Sequence, residues 1–242
     1  MKKSRTILSV ILFVSVVFVA PMQVTAQSNT AVLDVLSLDI QGNVEEFLEA
    51  LKPVIERVNE IQPKSTLTVF QAEFAGSDVG SILVVVGHPS MAYIEEISPK
   101  MASDEELAKL WPTLEKFGVT VKSRGLYLNR APEQDKDVDS PILVLYAIDT
   151  HGHNDAYVEA SKKLHERYYK VITDGAVYIS EGMFTGESAG MIYIGVGFPS
   201  MADMEKREEK VANDAELTRL FVERDKIGAT IVSRSLLRDV TP

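Results

Sequence analysis

The chain has 242 residues, 45% of them hydrophobic and 25% charged, the balance of an ordinary globular protein with room for one large domain or two small ones. It has no cysteine, which excludes disulfides, thiolate nucleophiles, cysteine-bound zinc and iron–sulfur clusters. Its net charge of −10 disfavours phosphate backbones and anionic lipid surfaces, so no nucleic-acid partner is expected.

Residues 1–26 read as a signal peptide. A basic start, "MKKSR", precedes the uncharged apolar run Ile7 to Ala20, and "PMQVTA" ends in a small residue. Fourteen apolar residues fall short of the roughly 20 that span a bilayer, and Val24 and Ala26 suit cleavage before Gln27. An uncleaved anchor is the alternative. Without Lys2, Lys3 and Arg5 the mature chain carries 22 basic against 35 acidic residues. The expected location is extracytoplasmic, a bacterial periplasm or the medium, with no stable membrane association after cleavage.

"AVLDVLSLDI" (from Ala31) is rich in β-branched and apolar residues and predicts a strand. "NVEEFLEALKPVIERVNEI" follows, with Val44, Phe47, Leu48, Leu51, Val54, Ile55, Val58 and Ile61 at helical spacing and Asn43 as its N-cap. "STLTVFQAEF" and "SILVVVG" flank the turn "AGSDVG" as a hairpin. Helix is expected from Met91 to Phe117, broken near Pro99 and ended by Gly118, before the last strand "VTVKSRGLYL".

The same order then recurs. "VGHPSMA" at Val86 returns as "VGFPSMA" at Val196, and a shift of 110 residues lays Ala31–Pro132 on the rest without a gap. Roughly 30 of about 100 aligned positions are identical, too long a period for a solenoid and suited to a duplicated small domain. The expected organisation is repeat 1 over 31–132, an acidic linker over 133–140 and repeat 2 over 141–242. Each reads β-α-β-β-α-β, the ferredoxin-like plan. Ile82, Val84 and Val86 alternate with Leu83 and Val85, so the strands are apolar on both faces. The face away from the helices must also be covered, and two copies in one chain can cover each other.

In element order, doubling and doubly apolar strands the chain resembles the dimeric α/β-barrel superfamily in a tandem single-chain form. The expected fold class is therefore α+β, two ferredoxin-like repeats whose sheets pack as an intramolecular α/β barrel, sufficient as a monomer. The superfamily includes antibiotic-biosynthesis-type monooxygenases, haem-degrading enzymes and chlorite-dismutase-like proteins, and fold alone does not choose among them. The haem-degrading members carry an iron-binding histidine on the second helix. Neither copy has a histidine there.

The candidate site comes from differences between the copies. His165 stands where copy one has Ile55, Ser161 where it has Leu51, Tyr178 for Thr68, Tyr193 for Leu83 and Gly195 for Val85. Together with Tyr157 and Tyr168, these describe a small pocket in repeat 2 that binds a small molecule, apolar with a few polar groups. Satisfied core packing explains the same residues equally. In a monooxygenase-like enzyme His165 would be the general base. His88, opposite Phe198, reads as packing or loop surface. His151 and His153 form "HGH" after a strand, a weak metal candidate needing further ligands, or simply a polar loop with His153 as a helix cap. Arg124 and Arg234 recur on the last strands and read as shared architecture. No P-loop, G-x-G-x-x-G, G-x-S-x-G or H-E-x-x-H is present, so no cofactor is expected. The functional alternatives are a ligand-binding module, a cofactor-independent monooxygenase and a structural or interaction protein.

Overall fold

The computed structural model describes residues 32–130, 140–172 and 176–242. The expected signal peptide (1–26) and nearly all of the expected linker (133–140) lie outside the described residues. Among these residues eight strands and six α-helices follow one another, beginning with β1 (Val32–Asp39), α1 (Val44–Ile61), β2 (Thr66–Phe74), β3 (Ile82–His88), α2 (Met91–Ser103), α3 (Glu105–Glu115) and β4 (Thr120–Asn129). The second half continues with β5 (Ile142–Asp149), α4 (Asn154–Val171), β6 (Ala176–Phe184), β7 (Ile192–Phe198), α5 (Met201–Ala212), α6 (Ala215–Asp225) and β8 (Thr230–Asp239).

The fold is α+β, built on a closed antiparallel barrel with the strand order β1-β3-β2-β8-β5-β7-β6-β4. Within each half the first strand lies between the third and fourth. The halves are joined at two edges. β2 pairs with β8 from Phe70↔Asp239 to Phe74↔Leu236, and β4 with β6 from Leu126↔Phe184 to Asn129↔Ser180. Closure leaves no strand edge unpaired around the ring. It also resolves the doubly apolar strands. Ile82 and Val84 pack under the helices, so Leu83 and Val85, on the opposite pleat, face into the barrel.

Every α-helix except α4 starts at a side-chain cap. Asn43 accepts from the Glu45 and Glu46 amides at 2.9 and 3.2 Å. Ser90 and Ser200 cap α2 and α5, and Asp104 and Asp214 cap α3 and α6. Helix α1 buries Phe47, Leu51, Val54, Ile55 and Val58, each worth about 1.5–3 kcal/mol of transfer free energy. Gly118 and Gly228 take positive φ values of 62° and 81° where the chain leaves α3 and α6, a region glycine enters without steric cost.

The helical region of the first half breaks at Asp104, not at Pro99. Asp104 caps the new helix and also binds Arg57 of α1, at 3.1 and 2.5 Å. Arg167 and Asp214 repeat that pair at 3.2 and 2.5 Å. Pro99 stays inside α2 on its exposed side, and Pro53 and Pro112 lie inside α1 and α3. No helix of the second half contains a proline. Each internal proline removes one i→i−4 hydrogen bond, so all three helices over the first half are weakened and none over the second.

Candidate functional site

A cavity of about 230 Å³ lies in the first half, between the sheet and helices α1, α2 and α3. Its walls are mainly apolar, with Leu36, Val84, Ile55 and Ile97 among them, and Trp111, the only tryptophan of the chain, also lines it. Three polar side chains reach it from adjacent strands, Asp34 on β1, His88 on β3 and Arg124 on β4. They share the helix-facing pleat with Leu36 and Val84, so an apolar pattern delivers them to the cavity.

Arg124 grips Asp34 bidentately, Nε to Oδ1 at 2.9 Å and Nη2 to Oδ2 at 2.5 Å, in the fork geometry that favours guanidinium–carboxylate pairs. Burial acts to lower the Arg124 pKa, but the hydrogen bond and charge of Asp34 outweigh it and leave it raised. His88 is 5% exposed. Its Nδ1 lies 2.9 Å from Ser65 Oγ, and its pKa is lowered, chiefly by burial, while Asp34 and Arg124 pull it in opposite directions. At neutral pH the set therefore holds one negative charge, one positive charge and a neutral imidazole. If Ser65 donates to Nδ1, Nε2 is a donor, and in the other tautomer Nε2 is an acceptor.

Several of the corresponding positions of the second half hold larger side chains. Tyr146 replaces Leu36, Tyr157 replaces Phe47, Tyr168 replaces Val58 and Arg207 replaces Ile97. Arg207 is 2% exposed, donates to the Gly197 carbonyl at 2.8 Å and lies over the Phe198 ring at 5.0 Å. Phe198 fills the place of His88, and Val144 that of Asp34. The cavity thus lies in the first half, whereas the pocket was expected in repeat 2.

The residues expected to form one pocket in repeat 2 are divided by the sheet. Tyr157, Ser161, His165 and Tyr168 are buried on the inner side of α4, where Arg224 lies over the Tyr157 ring at 5.3 Å. Tyr178 and Tyr193 alternate with the helix-facing residues Val177, Ile179, Ile192 and Ile194 and so lie on the opposite, barrel-facing pleat. Tyr193 packs edge-on against Tyr127, ring centroids 5.0 Å apart, and Tyr178 is 45% exposed. No space is left beside Gly195. A Cβ there would meet Leu143 Cδ1 at 3.1 Å and Tyr178 Cδ2 at 3.3 Å.

His165 is 1% exposed. Neither of its ring nitrogens, nor Ser161 Oγ, has a hydrogen-bond partner. Burial pushes its pKa down to about 4, and its ring lies against Tyr169 at 4.3 Å. His151 Nδ1 lies 3.3 Å from Asp149 and Nε2 3.2 Å from Thr230 Oγ1. His153 occupies the N-cap position of α4 without a side-chain bond. Among the described residues no three metal-binding side chains cluster.

Haem does not fit these residues. Helices α2, α3, α5 and α6 contain no histidine. His165 is enclosed by packed side chains, and the cavity beside His88 suits a molecule of one or two rings. Sequence reasoning missed Asp34 altogether. The available signal was an aspartate inside the apolar strand of copy one, facing a valine in copy two.

No family model matches the sequence, and no curated protein matches it. Solved structures do. A candidate monooxygenase from Fusobacterium nucleatum superposes with a TM-score of 0.55 at 10% identity, covering 88% of this chain and 93% of that one. A candidate monooxygenase from Lactobacillus acidophilus gives 0.53 at 11%, covering 87% and 93%. A chlorite dismutase mutant from Candidatus Nitrospira defluvii gives 0.52 at 8%, covering 90% and 93%. The chain therefore shares its fold, a ferredoxin-like α+β architecture on a closed eight-stranded barrel, with chlorite dismutase-like and monooxygenase-like proteins.

Proposed function

We propose that this protein binds a small, mainly apolar molecule in the cavity of its first half. The observation that carries the reading is a cavity of about 230 Å³ with apolar walls and a few convergent polar groups, Asp34, Arg124 and His88, the usual make-up of a small-molecule site. The pocket expected around His165 has less support, because its residues are packed or lie on the other side of the sheet. Trp111 supplies the assay. Toluene should change its emission saturably, and Val84→Phe, which fills the cavity, should abolish the change. Unchanged emission of the wild-type protein at saturating toluene overturns the reading.

The second reading is a monooxygenase-like enzyme, supported by the shared fold of the candidate monooxygenases. There His88, which lines the cavity, is better placed to act as base than His165, which is packed shut. Oxygen uptake with a phenolic substrate, lost in His88→Phe, tests it. We further propose that the two halves arose by duplication, supported by the gapless 110-residue register, and that one chain suffices, since it closes its own barrel. An extracytoplasmic location after cleavage at Ala26 is supported by the sequence of residues 1–26, and the mass of the mature chain tests it.

A further inference from the structure

We propose that the cavity selects an uncharged molecule, an apolar ring bearing one carbonyl or hydroxyl oxygen, and rejects a carboxylate of the same shape. The inference rests on reading the cavity as a ligand site.

The argument is one of charge and of unused donors. Two of the five N–H donors of Arg124 are committed to Asp34. The guanidinium charge is thereby balanced inside the site, while donors remain for a neutral acceptor. His88 is neutral and adds no charge to offset an anion. A carboxylate would have to leave water, sit beside the Asp34 carboxylate and find no free cation, and burying an unpaired charge is strongly unfavourable. A ketone or alcohol faces none of these costs. Its oxygen accepts from Arg124 or exchanges a hydrogen bond with His88, while its ring covers the apolar walls.

Size points to the same class. A dry cavity of about 150 Å³ takes benzene, so 230 Å³ takes a ring with a short substituent.

The second half shows what Asp34 contributes. There Val144 stands in the place of Asp34 and Arg234 in the place of Arg124. Arg234 turns to the Tyr146 ring at 5.3 Å and to Glu208 at 3.7 Å, and it is exposed. Asp34 is what holds an arginine at the cavity and cancels its charge.

Acetophenone and benzoate, nearly isosteric and different in charge, form the test. By calorimetry at pH 7.5 acetophenone should bind the wild-type protein at least about tenfold more tightly than benzoate. Asp34→Asn frees the guanidinium charge, so benzoate should gain about tenfold or more while acetophenone changes little. Asp34→Val, the residue of the second half, serves as a second variant should the amide destabilise the fold, and it should shift the preference the same way. Equal affinity of the two probes for the wild-type protein, or a preference unmoved in both variants, overturns the proposal. If toluene does not bind either, the ligand-site reading has failed and the selectivity falls with it. If toluene binds, only the selectivity is wrong.

Discussion

Replacing His165 by leucine should stabilise the protein and flatten its stability at acidic pH. His165 is buried with neither ring nitrogen hydrogen-bonded, and an unsatisfied buried polar group costs about 1–3 kcal/mol. Leucine restores the apolar character that Ile55 has on the first helix, so His165→Leu should gain about 1–3 kcal/mol at pH 7.5. The pH dependence has a definite sign. The folded pKa is about 4 against 6.5 for the free side chain. Between those values the unfolded chain holds a proton that the folded chain does not, so stability falls as pH drops from 6.5 to 4. At about 1.4 kcal/mol per pH unit, the loss below pH 4 amounts to about 3 kcal/mol. Urea denaturation from pH 7.5 to 4 measures both quantities. His88, also shifted down by burial, adds a slope of the same sign that survives in the variant, so the difference between the two proteins is the quantity to read. A destabilised variant with an unchanged slope would show that His165 has a partner, and would refute the reasoning.

Other consequences follow from the packing. Gly195→Val should destabilise by about 1–3 kcal/mol in urea titrations, because the added methyls meet Leu143 and Tyr178. Arg207→Ala should cost about 2–4 kcal/mol by opening a void under α5 and removing the bond to Gly197. Pro53→Ala should raise stability by about 1–3 kcal/mol, since it restores a missing bond in an exposed stretch of α1. Hydrogen exchange should be faster in α1, α2 and α3 than in their counterparts α4, α5 and α6, with the α1 difference reduced in Pro53→Ala.

The elements could be read from the sequence because each is written twice. Periodicity placed α1, the hairpins and the last strands, and two-sided apolar strands such as Ile82–Val86 pointed to a covered inner face. The break at Asp104 was harder to read, because proline is the stronger local signal for a helix end. The Arg57 contact that holds the Asp104 cap in place joins residues 47 apart. That the expected pocket residues are divided by the sheet was hidden for a different reason. Polar replacements in copy two, His165 for Ile55 and Ser161 for Leu51, suggest a pocket, yet volume decides whether space exists. Tyr146, Tyr168 and Arg207 all enlarge copy two where copy one holds leucine, valine and isoleucine. Strand alternation also separates Tyr193 from His165, since β7 turns Ile192 and Ile194, not Tyr193, towards the helices.

The most direct test of the account is a methyl NMR titration of the whole protein with toluene. The cavity of the first half predicts saturable shifts at Ile55, Ile97 and Val84, with Ile179, Ile192 and Ile194 unmoved. Shifts confined to the second-half methyls around His165 would contradict it and return the site to the helix that carries Ser161.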